Sequence, residues 1–188
     1  MKMNQKLSWV LMLGATVLFS QCKNADNPEP EDPNELITTV RLHFTQQGTT
    51  TPVSFAWRDP DGEGGNPPTQ FDAITLKANT TYTLEIELLD ESKTPIEEIT
   101  QEIEEKKEEH LFVFTTSPTG LLTYTYGDQD ARGLPVGLTG TTRTGNAGTG
   151  TFKVQLRHQA PVGGVAVKDG TPGPGSDDVN LTFNLTVQ

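Results

Sequence analysis

A period of two in the apolar residues constrains this chain more than any other feature. In TYTLEIEL, Tyr82, Leu84, Ile86 and Leu88 fall on one face, and Thr83, Glu85 and Glu87 on the other. DVNLTFNLTV repeats the scheme, with Val179, Leu181, Phe183, Leu185 and Val187 set against Asn180, Thr182, Asn184 and Thr186. TVRLHF, VSFAW and TFKVQLRH follow it too. Successive side chains of a strand point to opposite faces, so this pattern gives each strand one dry and one wet side. That is the signature of antiparallel sheets with one solvated face. Gly, Pro, Asn and Asp punctuate the strands. The expectation is a mainly β fold, a single antiparallel β-sandwich of immunoglobulin-like type, over residues 36–188.

One segment departs from this period. TPIEEITQEIEEKKEEH carries Ile96, Ile99 and Ile103 at helical spacing, behind Thr94, Pro95 and Glu97, which fit an N-cap, an N1 proline and the acid of a capping box. It predicts one short acidic helix of about three turns across one end of the sandwich. Glu108 and Glu109 would then lie near its negative end, a small cost that a nearby cation would remove. Two glycine-rich stretches, 139–150 and 159–178, read as loops; the second is long for a hairpin and is expected to be mobile.

The N-terminus reads as an address. Lys2 and Lys6 precede an apolar run from Trp9 to Phe19, too short to span a bilayer and proportioned like a signal peptide. Behind it stands Cys22, the chain's one cysteine, which can form no internal disulfide and sits where a bacterial lipobox places its lipidated thiol. Residues 1–21 are thus expected to be a lipoprotein signal peptide, and residues 22–35 an acidic, proline-rich tether that cannot bury a core. A free cysteine behind an ordinary secretory signal is the alternative. The net charge is −11, and losing Lys2 and Lys6 with the leader would make the chain more acidic still. Such a chain lacks the basic surface that nucleic acid requires, and its attachment to a membrane would have to come from acyl chains.

Two groups of residues suggest cations. DPDGEGG sets Asp59, Asp61, Glu63 and Gly64 at the early spacing of an EF-hand loop, but Gln70 stands where the closing glutamate belongs and Pro67 and Pro68 interrupt the second half. It is either a turn between strands, since Asp and Gly are turn formers, or a weak calcium site. Asp128, Asp130 and Gly133 echo the spacing, with Arg132 in the place of an acid, which disfavours a dication. Among the histidines, His43 shares the polar face of its strand with Arg41. His158 continues the inward phase of Phe152, Val154 and Leu156, and His110 lies where the acidic helix meets LFVF. Either His110 and His158 are ordinary buried or capping histidines, or with Glu109 or Glu108 they supply ligands of suitable type for zinc or copper.

Catalysis has little support, because the chain lacks a G-x-S-x-G elbow, an H-E-x-x-H pair and a phosphate-cradling loop. A non-enzyme is expected, with an envelope glycan hydrolase as the distant alternative.

Taken together, ITTVRLHFT, DPDGEGG, ANTTYTLEIELLDES, EEITQEIEEKKEEHLFVF, YTYGDQDARGLPVGL, GTGTFKVQLRHQ and DDVNLTFNLTV resemble, in this order, a family of small, poorly characterised Bacteroidota cell-envelope lipoproteins. Some members bear the label "type 1 periplasmic-binding-fold superfamily protein", a two-domain α/β architecture that the strand pattern does not match. The resemblance implies a single-domain lipoprotein of the outer membrane, with a TonB-dependent outer-membrane receptor as an implied partner, and brings no established ligand or reaction. The resemblance also draws the EEH and LRH stretches, hence His110 and His158, toward metal binding. The leading expectation is a non-catalytic, outer-membrane-anchored β-sandwich that binds a ligand or a partner protein.

Overall fold

The computed structural model describes residues 35–62 and 64–188. The leader, Cys22, most of the tether and Glu63 lie outside the described residues. The remaining chain forms eleven strands and one helix: β1 Thr39–Gln46, β2 Val53–Arg58, β3 Gln70–Phe71, β4 Ile74–Leu76, β5 Thr81–Asp90, β6 Glu97–Glu98, α1 Ile99–Glu105, β7 His110–Ser117, β8 Leu122–Tyr126, β9 Thr139–Thr144, β10 Gly148–His158 and β11 Ser176–Val187.

Seven strands make one sheet, in the order β3-β2-β1-β5-β9-β8 with β6 added to β5, and four make the other, β4-β11-β10-β7. The inward phases named from sequence meet between them. Leu42, Phe44, Leu84 and Leu88 from the first sheet and Phe152, Val154, Leu156 and Phe183 from the second are fully buried in one core. Burying each such side chain is worth roughly 1.5–3 kcal/mol. The mainly β, two-layer architecture is therefore as the alternation dictates. Every pairing is antiparallel except one, because β4 runs parallel to β11 at the sheet edge. Immunoglobulin-like kinship is a matter of strand connectivity, and the layer architecture is the part of that expectation borne out.

The helix is shorter than its sequence pattern. Glu97 and Glu98 pair with Asp90 and Leu89 as β6, so their backbone is spent on the sheet edge. Glu98 precedes the helix in an extended conformation and makes no side-chain cap. The capping box of Thr94 and Glu97 thus does not form, Ile96 is exposed, and only Ile99 and Ile103 of the predicted stripe reach the core. The glycine-rich stretches are also more ordered than their composition suggests. Residues 139–150 are mostly β9 and the start of β10, and Gly140 is required there because a Cβ would overlap the Tyr124 ring and the Thr125 carbonyl. The segment after His158 is pinned by Lys168, whose Nζ donates to the Lys107 carbonyl at 2.7 Å and pairs with Asp130 at 3.3 Å, both side chains fully buried.

Candidate metal centre

Strands β7 and β10 are antiparallel neighbours, and their register sets His110 directly opposite His158. Both residues continue the inward phase of their strands, so the imidazoles meet at one end of the core. They stack with centroids 4.7 Å apart and planes 19° from parallel, and their side chains are almost wholly buried. The two histidines singled out from sequence are therefore brought together.

Two carboxylates that sequence reasoning missed complete the group. Glu35 Oε2 lies 3.4 Å from His110 Nε2 and 3.8 Å from His158 Nδ1. Asp178 Oδ2 lies 3.7 Å from His110 Nε2, and its Oδ1 lies 3.8 Å from His158 Nδ1. One ligand atom from each of Glu35, His110, His158 and Asp178 falls within 4.8 Å of the others, so the four can hold one metal ion. Glu35 had been grouped with the solvated tether. Its side chain is instead 4 % exposed and also faces the Lys106 ammonium at 3.6 Å.

A β-bulge supplies Asp178. Leu156 pairs with Val179 and Arg157 with Asp177, so the register shifts and Asp178 is the extra residue of β11. Strict alternation from Val179 would turn Asp178 outward with Asn180; the bulge re-aims it inward, while Asp177 faces out to Arg157 at 2.5 Å.

The helix end orients His110. Its Nδ1 lies 3.0 Å from the Lys106 carbonyl, and a carbonyl only accepts, so Nδ1 carries a proton. Nε2 is then the nitrogen that turns to Glu35 and Asp178. Outer hydrogen bonds of this kind fix the tautomer of metal-binding histidines. Glu109, expected as a ligand, is not in the group. Its carboxylate lies 3.8 Å from the other nitrogen of His158, Nε2, and is a quarter exposed, a position suited to steadying the ring.

The two carboxylates differ in charge state. Burial pushes the Glu35 carboxyl up, but the hydrogen bond and charge of His110 outweigh this and hold it at about 2. Burial and the nearby Glu35 charge push Asp178 up to about 7, and neither of its buried oxygens has a hydrogen-bond partner. A buried carboxylate without a donor is costly. A cation at the centre of the group would remove that cost.

The acidic loops behave as turns. Asp61 accepts from the backbone and side-chain nitrogens of Asn66 at 2.8 and 2.7 Å, and the Gly62 amide donates to the Asp59 carbonyl at 3.1 Å. Burial and the neighbouring Asp61 push the Asp59 carboxyl up. Among the described residues, Asp59 and Asp61 are not part of a metal-ligand group. Asp128 anchors its own loop by accepting from the amides of Gly137, Leu138 and Thr139. Asp130 is held by Lys168 and Arg132, so no cation is needed there. His43 stays on the polar face, 2.8 Å from the Ser54 hydroxyl. No protein-family model matches the chain, nor does any curated protein or solved structure.

Proposed function

We propose that this protein is a non-catalytic, metal-binding lipoprotein of the bacterial outer membrane. In this reading Cys22 carries the lipid anchor and the β-sandwich holds one divalent transition-metal ion. The observation that carries it is the buried group of Glu35, His110, His158 and Asp178, with both Asp178 oxygens lacking a donor. The carboxylate oxygens lie 3.4–3.8 Å from the imidazole nitrogens, and one ligand atom from each of the four residues lies within 4.8 Å of the others, a grouping compact enough for one small four-coordinate ion. Two imidazoles and two carboxylates are a donor set that zinc takes readily in four-coordinate sites. Calcium asks for six to eight oxygens and finds two imidazoles here. Four protein ligands with side chains at most 4 % exposed make a closed site, the arrangement of structural or sequestering centres rather than hydrolytic ones.

The test is calorimetric titration of the EDTA-stripped protein with zinc, copper(II) and calcium. Stoichiometric zinc binding, lost in His110→Ala and His158→Ala, is expected. Binding that survives both substitutions overturns the assignment.

A second reading, docking to an envelope partner such as an outer-membrane receptor, draws on one feature. Val162 and Val165 close a hairpin tip through paired backbone hydrogen bonds and stand 70 % and 67 % exposed.

A further inference from the structure

The four residues of the metal group are held in two different ways. His110, His158 and Asp178 belong to β7, β10 and β11, which pair side by side, so the sheet fixes all three. Glu35 stands ahead of β1. The first backbone hydrogen bonds of its segment come three residues later. There the Thr38 amide donates to the Leu89 carbonyl at 2.9 Å, and the Asp59 amide donates to the Thr38 carbonyl at 2.8 Å. Among the described residues, Glu35, Leu36 and Ile37 make no backbone–backbone hydrogen bond. Leu36 is half exposed, and of these three residues only Ile37 packs into the apolar core.

Glu35 is therefore carried on a short arm, and its side chain reaches over to a fixed seat. Its Oε2 meets His110 Nε2 at 3.4 Å, and the Lys106 ammonium stands 3.6 Å from its Oε1. That Oε1 is buried and has no hydrogen-bond partner, so the arm's own hold on the domain is incomplete. A closed site also needs a way in for its ion. Three residues on paired strands and a fourth on an unpaired arm supply one.

We infer, building on the metal-binding reading above, that the ion is a clasp: it draws Glu35 onto His110, His158 and Asp178 and so fastens the chain ahead of β1 to the sandwich. Loss of the ion lets the arm go and frees three residues, about 10 Å of extended chain. Glu35 ends the stretch read from sequence as a tether, so metal occupancy sets how much chain separates the folded domain from whatever holds its N-terminus. Linkage makes the effect reciprocal. Whatever factor Glu35 adds to metal affinity, the metal adds to docking of the arm.

A protease that cleaves after glutamate must take the Glu35 side chain into its own pocket, so it attacks the Glu35–Leu36 bond only while the arm is undocked. Where docking is fast relative to cleavage, the rate reports the undocked population. The full chain is digested with glutamyl endopeptidase in EDTA, and in buffered zinc at about one hundred times Kd. A synthetic peptide of residues 32–40 carries the same bond and, in the same tube, corrects for the activity of the protease. Mass spectrometry follows both substrates, and competition with a chromogenic chelator measures zinc uptake separately. Relative to the peptide, zinc should slow cleavage after Glu35 at least about tenfold, the factor Glu35 is expected to add to zinc affinity. Zinc uptake with an unchanged cleavage rate overturns the clasp and leaves the metal centre standing. Absence of zinc uptake overturns both. No detectable cleavage after Glu35 in EDTA, while the peptide is consumed, shows an arm docked without metal and also overturns the clasp.

Discussion

Replacing Asp178 with Asn should stabilise the metal-free protein and remove most of the stabilisation that zinc supplies. In the metal-free protein the two Asp178 oxygens are fully buried and accept no hydrogen bond. They lie 3.7 and 3.8 Å from His110 Nε2 and His158 Nδ1, and the nearby Glu35 charge acts against them. An asparagine of nearly the same shape removes the charge and supplies an N–H that can donate to these groups. Relieving an unsatisfied buried polar group is worth about 1–3 kcal/mol. At about 2–4 °C per kcal/mol for a domain of this size, the melting temperature in EDTA should rise by several degrees.

With zinc that gain is largely offset. At a free concentration about one hundred times Kd, binding adds about 2.7 kcal/mol to the wild type. If losing one charged ligand weakens affinity by about a hundredfold, the same zinc concentration adds only about 0.4 kcal/mol to the variant. Thermal unfolding by circular dichroism, at pH 8 in EDTA and then in buffered zinc, reads both effects. A variant less stable than wild type in EDTA, or one that keeps the full zinc shift, refutes the argument.

Glu35→Gln should weaken zinc binding at least about tenfold, whereas Glu109→Gln should change it less than about threefold, since Glu109 faces the outer nitrogen of His158; competition against a chromogenic chelator distinguishes them. Lys168→Met removes the buried partner of Asp130 and should cost about 2–3 kcal/mol in urea unfolding, somewhat below the usual range for a broken buried pair because Arg132 remains 3.2 Å away. Burial pushes the Asp130 carboxyl up, but the Leu134 amide, the Lys168 charge and the Arg132 amide outweigh it and hold it below the ordinary range. Its contribution is therefore complete above the unfolded value of about 3.9 and is lost as pH falls below it; in Asp130→Asn, acid unfolding followed by far-UV dichroism should show a shallower slope there. Gly175→Ala should lower both stability and zinc affinity, because Gly175 has φ 77° and a Cβ would overlap the His158 carbonyl; an unchanged zinc isotherm would count against that coupling.

Much of the fold follows from local sequence, because alternation is a local property. The phase of Phe152, Val154 and Leu156 fixes which way His158 points, and the phase of Phe112 and Phe114 does the same for His110. Once the two strands pair, the imidazoles must meet. The helix was over-read for a related reason. Thr94, Ile96 and Glu97 form a good local helix start, but the open edge of β5 competes for the backbone of Glu97 and Glu98. A hydrogen-bonding edge left unpaired outweighs a propensity worth a fraction of a kcal/mol per residue.

The two carboxylates that complete the group were hidden for different physical reasons. Glu35 sits among five acids in a run with no apolar periodicity, and what distinguishes it is a partner 75 residues away. No local pattern marks such a residue. Asp178 is different, because the pattern pointed the wrong way. Counting back by two from Val179 places it on the wet face, and only the extra residue at the Leu156–Arg157 shift turns it inward. The doubled acid Asp177–Asp178 at the head of a strongly alternating strand is the signal that remains. One member satisfies Arg157 on the surface, and the other is left over for the interior. A bulge costs a ladder hydrogen bond and here places a carboxylate with no donor beside another carboxylate. A sequence keeps such a strained arrangement where it does something, and a cation held between Glu35 and Asp178 is the one occupant that turns every repulsion in the group into an attraction.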